Sequence, residues 1–195
     1  MWEVLNLKKS ITVLLVLLLI VSAAGCGKKK EDHENHESKA SASDIKRSSK
    51  EVVLMNAAGK KSGTVHLTQT AEGVEIHVKA EGLTSGEHGF HFHETAKCTA
   101  PDFESAGKHF NPGKRKHGFN NPEGFHAGDI PNLKTDKSGN AEVTFVSQNV
   151  TLNKGAANSL LRKGGTSIVV HEKADDYKTD PSGNSGGRIL CGEIK

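Results

Sequence analysis

"HGFHFHE", residues 88–94, sets Phe90 and Phe92 in alternation with His91 and His93. The chain of 195 residues has only seven Phe, one Tyr and one Trp, so two aromatic rings within three positions are a strong apolar signal. On a strand, residues i and i+2 share a face. Phe90 and Phe92 therefore point into a core, and His91 and His93 project together on the other side. Two neutral imidazoles held side by side suit a late first-row metal, copper above all. An isolated His-x-His also fits a solvated strand face, so the pair needs support from elsewhere in the chain.

The same period of two recurs on both sides of this stretch. "TVHLTQ" (64–69) aligns Val65 with Leu67, and "GVEIHVKAEG" (73–82) aligns Val74, Ile76 and Val78. "AEVTFV" (141–146) and "TSIVVHE" (166–172) follow suit, with turn signals such as "DKSGN" between segments. No window carries a sustained 3.6-residue period. Short strands at this spacing predict an all-β antiparallel sandwich or barrel. Two long stretches, 95–139 and 172–187, read as loops without strands, and loops of that length usually carry function or are pinned.

Pins are visible in the first of them. His109, His117, His126 and Asp129 fall close together, and four N/O ligands in a closed tetrahedron make a structural zinc site. His171, at the end of "SIVV", is a third outward imidazole to set beside His91 and His93.

The N-terminus has a different composition. Lys8 and Lys9 precede an apolar run at 11–24, too short for a comfortable membrane span and followed by small residues and Cys26. This predicts a lipoprotein signal peptide over 1–25, with Cys26 lipidated and the mature chain held on a membrane; an uncleaved anchor or plain secretion is the alternative. Residues 26–50 are charged and Ser-rich, a disordered tether whose His33 and His36 form at most a weak metal trap. The folded domain then covers 51–195. If Cys26 carries lipid, Cys98 and Cys191 remain as a pair in an oxidising compartment, as a disulfide or as two buried thiols.

The formal net charge of +3 lies N-terminal to that domain. Two lysines against Glu3 and seven basic against five acidic residues account for all of it within 1–50, and 51–195 is neutral. No broad basic field suggests a nucleic-acid partner.

Six blocks together resemble the Cu/Zn superoxide dismutases: "GFHFHE" (89–94), "SAGKHFNP" (105–112), "RKHG" (115–118), "FHAGDIPNL" (125–133), "VVHEKADDY" (169–177) and "GNSGGRILCG" (183–192). The resemblance implies an eight-stranded Greek-key barrel, immunoglobulin-like in its sandwich, with two functional loops. It implies copper on His91, His93, His109 and His171, and zinc on His109, His117, His126 and Asp129. His109 would then bridge both ions. Asp175 would hydrogen-bond ligands of both metals, Arg188 would dock the superoxide anion, and Cys98 would be bonded to Cys191. Lys173 and Lys178, in the second loop, are candidates for steering that anion.

The implied activity is dismutation of superoxide in an exported, lipid-anchored enzyme, with a Gram-positive surface suiting the tether. Two other readings stay beside it: a non-catalytic metal-binding lipoprotein of the same fold, and a zinc hydrolase, which Asp129 disfavours by filling the position that a hydrolase leaves open. Subunit interfaces differ between branches of the family, which leaves a homodimer open. His66, His77 and His88, outside the blocks, are expected on solvated faces or in local hydrogen bonds.

Overall fold

A computed structural model describes residues 48–195. The expected signal peptide, Cys26, His33, His36 and nearly all of the expected tether lie outside the described residues. Eight antiparallel strands are present: β1 (Ser49–Asn56), β2 (Lys61–Gln69), β3 (Val74–Ala80), β4 (Glu87–His93), β5 (Asp129–Lys134), β6 (Ala141–Ser147), β7 (Thr166–His171) and β8 (Arg188–Ile194). Ser49 and Lys50, read from sequence as the end of the tether, are instead the first residues of β1.

The strands form one sheet in the order β5-β4-β7-β8-β1-β2-β3-β6, and its end strands β5 and β6 come alongside each other to leave the barrel nearly closed. The non-neighbouring connections β3–β4 and β6–β7 make it a Greek key. The inward face follows the alternation seen in the sequence. Val65 and Leu67 meet Val74, Ile76 and Val78, with Phe90, Phe92, Ile168 and Val170 completing the core.

The stretch 95–139 is not strand-free. It contains a 3₁₀ turn, Glu104–Ala106, and all of β5. "DIPNLK" hides its strand because Pro131 breaks the usual pattern, yet β5 pairs only with β4, and an edge position tolerates a residue without an N–H.

Strands β4 and β7 are buried on both faces. The core covers one side, and the long loops 95–128 and 172–187 cover the other. A small second cluster of Phe103, Ala106, Val169 and Cys191 seats the first loop on β7 and β8. Cys98 and Cys191 are disulfide-bonded, with Cα atoms 5.7 Å apart.

Candidate metal centre

On the outer faces of β4 and β7, under those loops, four imidazoles converge. His91, His93, His109 and His171 are all buried, and one potential ligand atom from each lies within 4.8 Å of the others. The ring nitrogen facing away from this centre is engaged in every case. His91 Nε2 donates to Asp175 Oδ2 at 2.8 Å, and His93 Nδ1 to the Gly107 carbonyl at 3.0 Å. His171 Nδ1 donates to the Gly186 carbonyl at 3.3 Å, and His109 Nδ1 faces Asp129 Oδ1 at 3.0 Å. For His91, His93 and His171, fixing the outer nitrogen as the protonated one turns the lone pair of the other inward, whereas the outer nitrogen of His109 faces a carboxylate that two further histidines share.

The inward atoms have no protein donor to satisfy them. His91 Nδ1 and His109 Nε2 are buried without a hydrogen-bond partner, and His93 Nε2 and His171 Nε2 sit 3.4 Å apart. Buried, unpaired nitrogens aimed at one point are costly unless a cation sits there.

The second cluster shares His109. Asp129 Oδ1 lies 3.0 Å from His109 Nδ1 and 3.2 Å from the Nδ1 atoms of both His117 and His126, while His126 Nδ1 and His109 Nδ1 are 3.4 Å apart. A tetrahedron of zinc bonds about 2.0–2.1 Å long has edges of about 3.3 Å, so these separations suit that ion. The other carboxylate oxygen, Asp129 Oδ2, accepts the backbone N–H groups of Gly118 and His126. Asp175 ties the clusters together, since its Oδ1 accepts from His117 Nε2 at 3.0 Å while Oδ2 serves His91. Gly183, at φ +64°, packs so closely on Asp175 Oδ1 that a Cβ there would collide with it.

Residues 61–194 match the copper/zinc superoxide dismutase (SODC) family. The chain belongs to that family. Over 143 residues it is 52% identical to superoxide dismutase (Cu-Zn) 1 of Aquifex aeolicus, covering 73% of this chain and 85% of the relative. It is 46% identical over 145 residues to the superoxide dismutase-like protein YojM of Bacillus subtilis, covering 73% and 74%. Among solved structures, a double mutant of a SOD-like protein from Bacillus subtilis superposes with TM-score 0.73 at 46% identity, covering 74% of this chain and 95% of the other. The Cu/Zn superoxide dismutase from Brucella abortus gives TM-score 0.63 at 33% identity, covering 76% and 100%. As a Cu/Zn superoxide dismutase the chain is an oxidoreductase using copper and zinc, and its two histidine clusters have the donor sets for those ions.

A cleft of about 650 Å³ opens over His93, His109 and His171. Arg188 lines it, donating from Nη1 to the Phe103 carbonyl and from Nη2 to the Gly107 carbonyl, both at 2.8 Å. The other cations on the cleft are Lys108, Lys114, Arg115 and Lys116; Glu94 and Glu104 line it too, with Glu104 Oε2 3.6 Å from Arg188 Nη2, and Lys116 pairs with Asp180 at 3.3 Å. Lys173 and Lys178, the sequence-based candidates, do not line the cleft. Residues 108–116 supply those four cations, whereas Lys173 is tied by its backbone to Gly89 and Ser185, with its stem beside Gly186. Proximity in sequence to His109 and His117 was the signal available for the missed group.

His88 is the other departure from expectation. It is buried, with Nδ1 2.7 Å from the His171 carbonyl and Nε2 3.0 Å from the Thr84 carbonyl. Only the Thr84 contact is local; the other fastens β4 to the main chain of His171.

Without metal these rings constrain stability. Burial, then repulsion from neighbouring imidazoles, lowers His171 to about 2 and His109 to about 3 from an ordinary 6.5. Burial likewise lowers His91 and His93. His117 goes the other way: burial works against its charge, but hydrogen bonds to Asp129 and Asp175 raise it to about 9. Between pH 6.5 and about 3 the unfolded chain binds protons at His109 and His171 that the folded one does not, so stability falls with pH through that window. The His117 contribution is complete below 6.5 and fades as pH rises through 9. Asp129 and Asp175, held well below the carboxylate range by their histidine hydrogen bonds against the opposing effect of burial, still favour the fold at pH 4.5. The urea midpoint of the metal-free protein is therefore expected to drop between pH 6.5 and 4.5. An unchanged midpoint would contradict the buried, neutral state of these rings.

Proposed function

We propose that this chain dismutes superoxide at a copper centre joined through His109 to a structural zinc, copper being held by His91, His93, His109 and His171, and zinc by His109, His117, His126 and Asp129. The observation that carries the reading is the placement of one ring. His109 presents Nδ1 to the Asp129 cluster and a buried, unpartnered Nε2 to the four-histidine cluster. In the net reaction one superoxide gives up an electron and leaves as dioxygen, while a second takes that electron and two protons to become hydrogen peroxide. When bound, copper supplies the one-electron change, whereas zinc has no redox change to offer.

The chain's own residues do the rest. His109 Nε2 is the atom placed to hold a proton and release it toward the departing peroxide, while Asp129 and the zinc cluster keep the ring from turning. Asp175 holds His91 and His117 in one tautomer each, so both donor sets keep their lone pairs inward. Arg188 is a permanent cation whose guanidinium is fixed by two carbonyls, ready to pair with an anion. Lys108, Lys114, Arg115 and Lys116 raise the local concentration of that anion at the mouth. The same reading carries export, lipid anchoring through Cys26 to the outer surface of a bacterial membrane, and an oxidising compartment in which the Cys98–Cys191 bond persists.

The test is a dismutase assay on protein loaded with one copper and one zinc per chain, alongside Arg188→Ala. The loaded protein is expected to dismute superoxide at a rate that falls with ionic strength. Arg188→Ala is expected to slow it by about tenfold and flatten the salt dependence, with metal content unchanged. Loaded protein without activity would refute the proposal, and an unaltered Arg188→Ala rate would remove that residue from it.

A further inference from the structure

A second place where imidazoles meet lies on the far half of the barrel, separated from β4 and β7 by β8 and β1. Alternation turns His66 out of β2 and His77 out of β3, and the register sets them directly opposite each other. Such partners have Cβ atoms about 4.5–5.5 Å apart. Here the two rings stack, with centroids 6.1 Å apart and planes inclined by 24°. His66 is exposed and His77 half-buried, in contrast to the buried rings of the metal centre and His88.

Carboxylates flank this pair at both ends. Glu51 of β1 is the cross-strand neighbour of His66, with Oε2 3.7 Å from Nδ1. Glu142 of β6 places Oε1 3.3 Å from His77 Nε2 and also pairs with Lys79 at 2.7 Å. Each ring thus has one nitrogen turned toward a carboxylate, leaving His66 Nε2 and His77 Nδ1 for another partner. A carboxylate on the outer nitrogen is how metal-ligating histidines are commonly oriented. Glu75, two residues before His77 and on the same face, adds a further negative charge.

We propose that His66 and His77 form a third metal site, taking one divalent late first-row ion, with zinc as the probe and water completing its coordination. The two nitrogens need an approach of about 3.3 Å, which side-chain rotation of two stacked rings that solvent reaches can provide. The ion would bridge β2 to β3 and offset the surrounding carboxylates. Its exposure and two-histidine ligation make it weaker than either buried site.

The experiment is calorimetric titration of full-length protein, already loaded with one copper and one zinc per chain, with further Zn²⁺. Wild type is expected to bind one additional equivalent. His66→Gln/His77→Gln is expected to lose it while keeping both buried ions and full dismutase activity. His33→Gln/His36→Gln, in the N-terminal segment, is expected to retain it. Absence of the extra equivalent in wild type, its survival in His66→Gln/His77→Gln, or its loss from the His33/His36 variant would each overturn the proposal. Because the assay counts ions beyond the buried pair, it stands or falls independently of the dismutase reading.

Discussion

His171→Ala is expected to lower dismutase activity by about 100-fold or more while the protein keeps its zinc. His171 ends β7 on the same outer face as Val169, and its Nε2 is 3.4 Å from His93 Nε2 at the centre of the four-histidine cluster. It belongs to the four-histidine cluster and not to that of His109, His117, His126 and Asp129, where the Gly118 and His126 amides hold the Asp129 carboxylate. Loss of a partner that only orients a ligand costs about 10–100-fold in affinity or activity, and removing the ligand itself is expected to exceed that. The alanine also leaves the His88–carbonyl contact in place, since that bond goes to the main chain of residue 171. Metal analysis and a superoxide assay on the same sample separate the outcomes. Activity near wild type would take His171 out of the copper set; loss of zinc along with activity would mean that the two clusters are not separable in this way.

What could be read before the structure was the part governed by short range. Alternation in 88–94 gives β4 its two faces because strand geometry depends only on neighbouring residues, and β2 and β3 follow for the same reason. The family's blocks pointed to the histidines and the aspartate that the structure brings together. Contacts between distant segments were less legible. The outer faces of β4 and β7 look like solvated strand faces until two loops far along the chain are laid over them. His88 looks idle because its partner carbonyl is 83 residues away. The cationic mouth could not be placed, since a lysine's position in a loop says little about which way the backbone carries it; Lys114, Arg115 and Lys116 reach the cleft and Lys173 does not. β5 was lost to Pro131, acceptable only because the fold makes that strand an edge.

Replacing both Cys98 and Cys191 by Ser is expected to have the largest effect on stability. The bond closes a separation of 93 residues, and constraint of the unfolded chain over such a loop is worth about 4–5 kcal/mol in the entropy model. For a domain of this size that corresponds to a fall in Tm of about 10–20 °C. The loss should reach the active site as well. Cys191 belongs to the small cluster with Phe103, Ala106 and Val169, and Cys98 begins the loop whose Phe103 and Gly107 carbonyls hold the Arg188 guanidinium. Glu193 gives that loop one further hold, accepting the Cys98 N–H at 3.0 Å. With the covalent tie gone, the Gly107 carbonyl still accepts from His93 Nδ1 and the Ala106 carbonyl from the Thr95 N–H, but the Phe103 end of the loop keeps only this hydrogen bond near Cys98 and the Phe103 and Ala106 packing to hold it against β7 and β8. The serine variant should therefore show a weaker salt dependence of turnover even at temperatures where it stays folded, a change that lowered stability alone does not produce. A Tm within a few degrees of wild type would reject the entropic estimate. A salt dependence identical to wild type in the folded variant would show that the loop positions Arg188 without the disulfide.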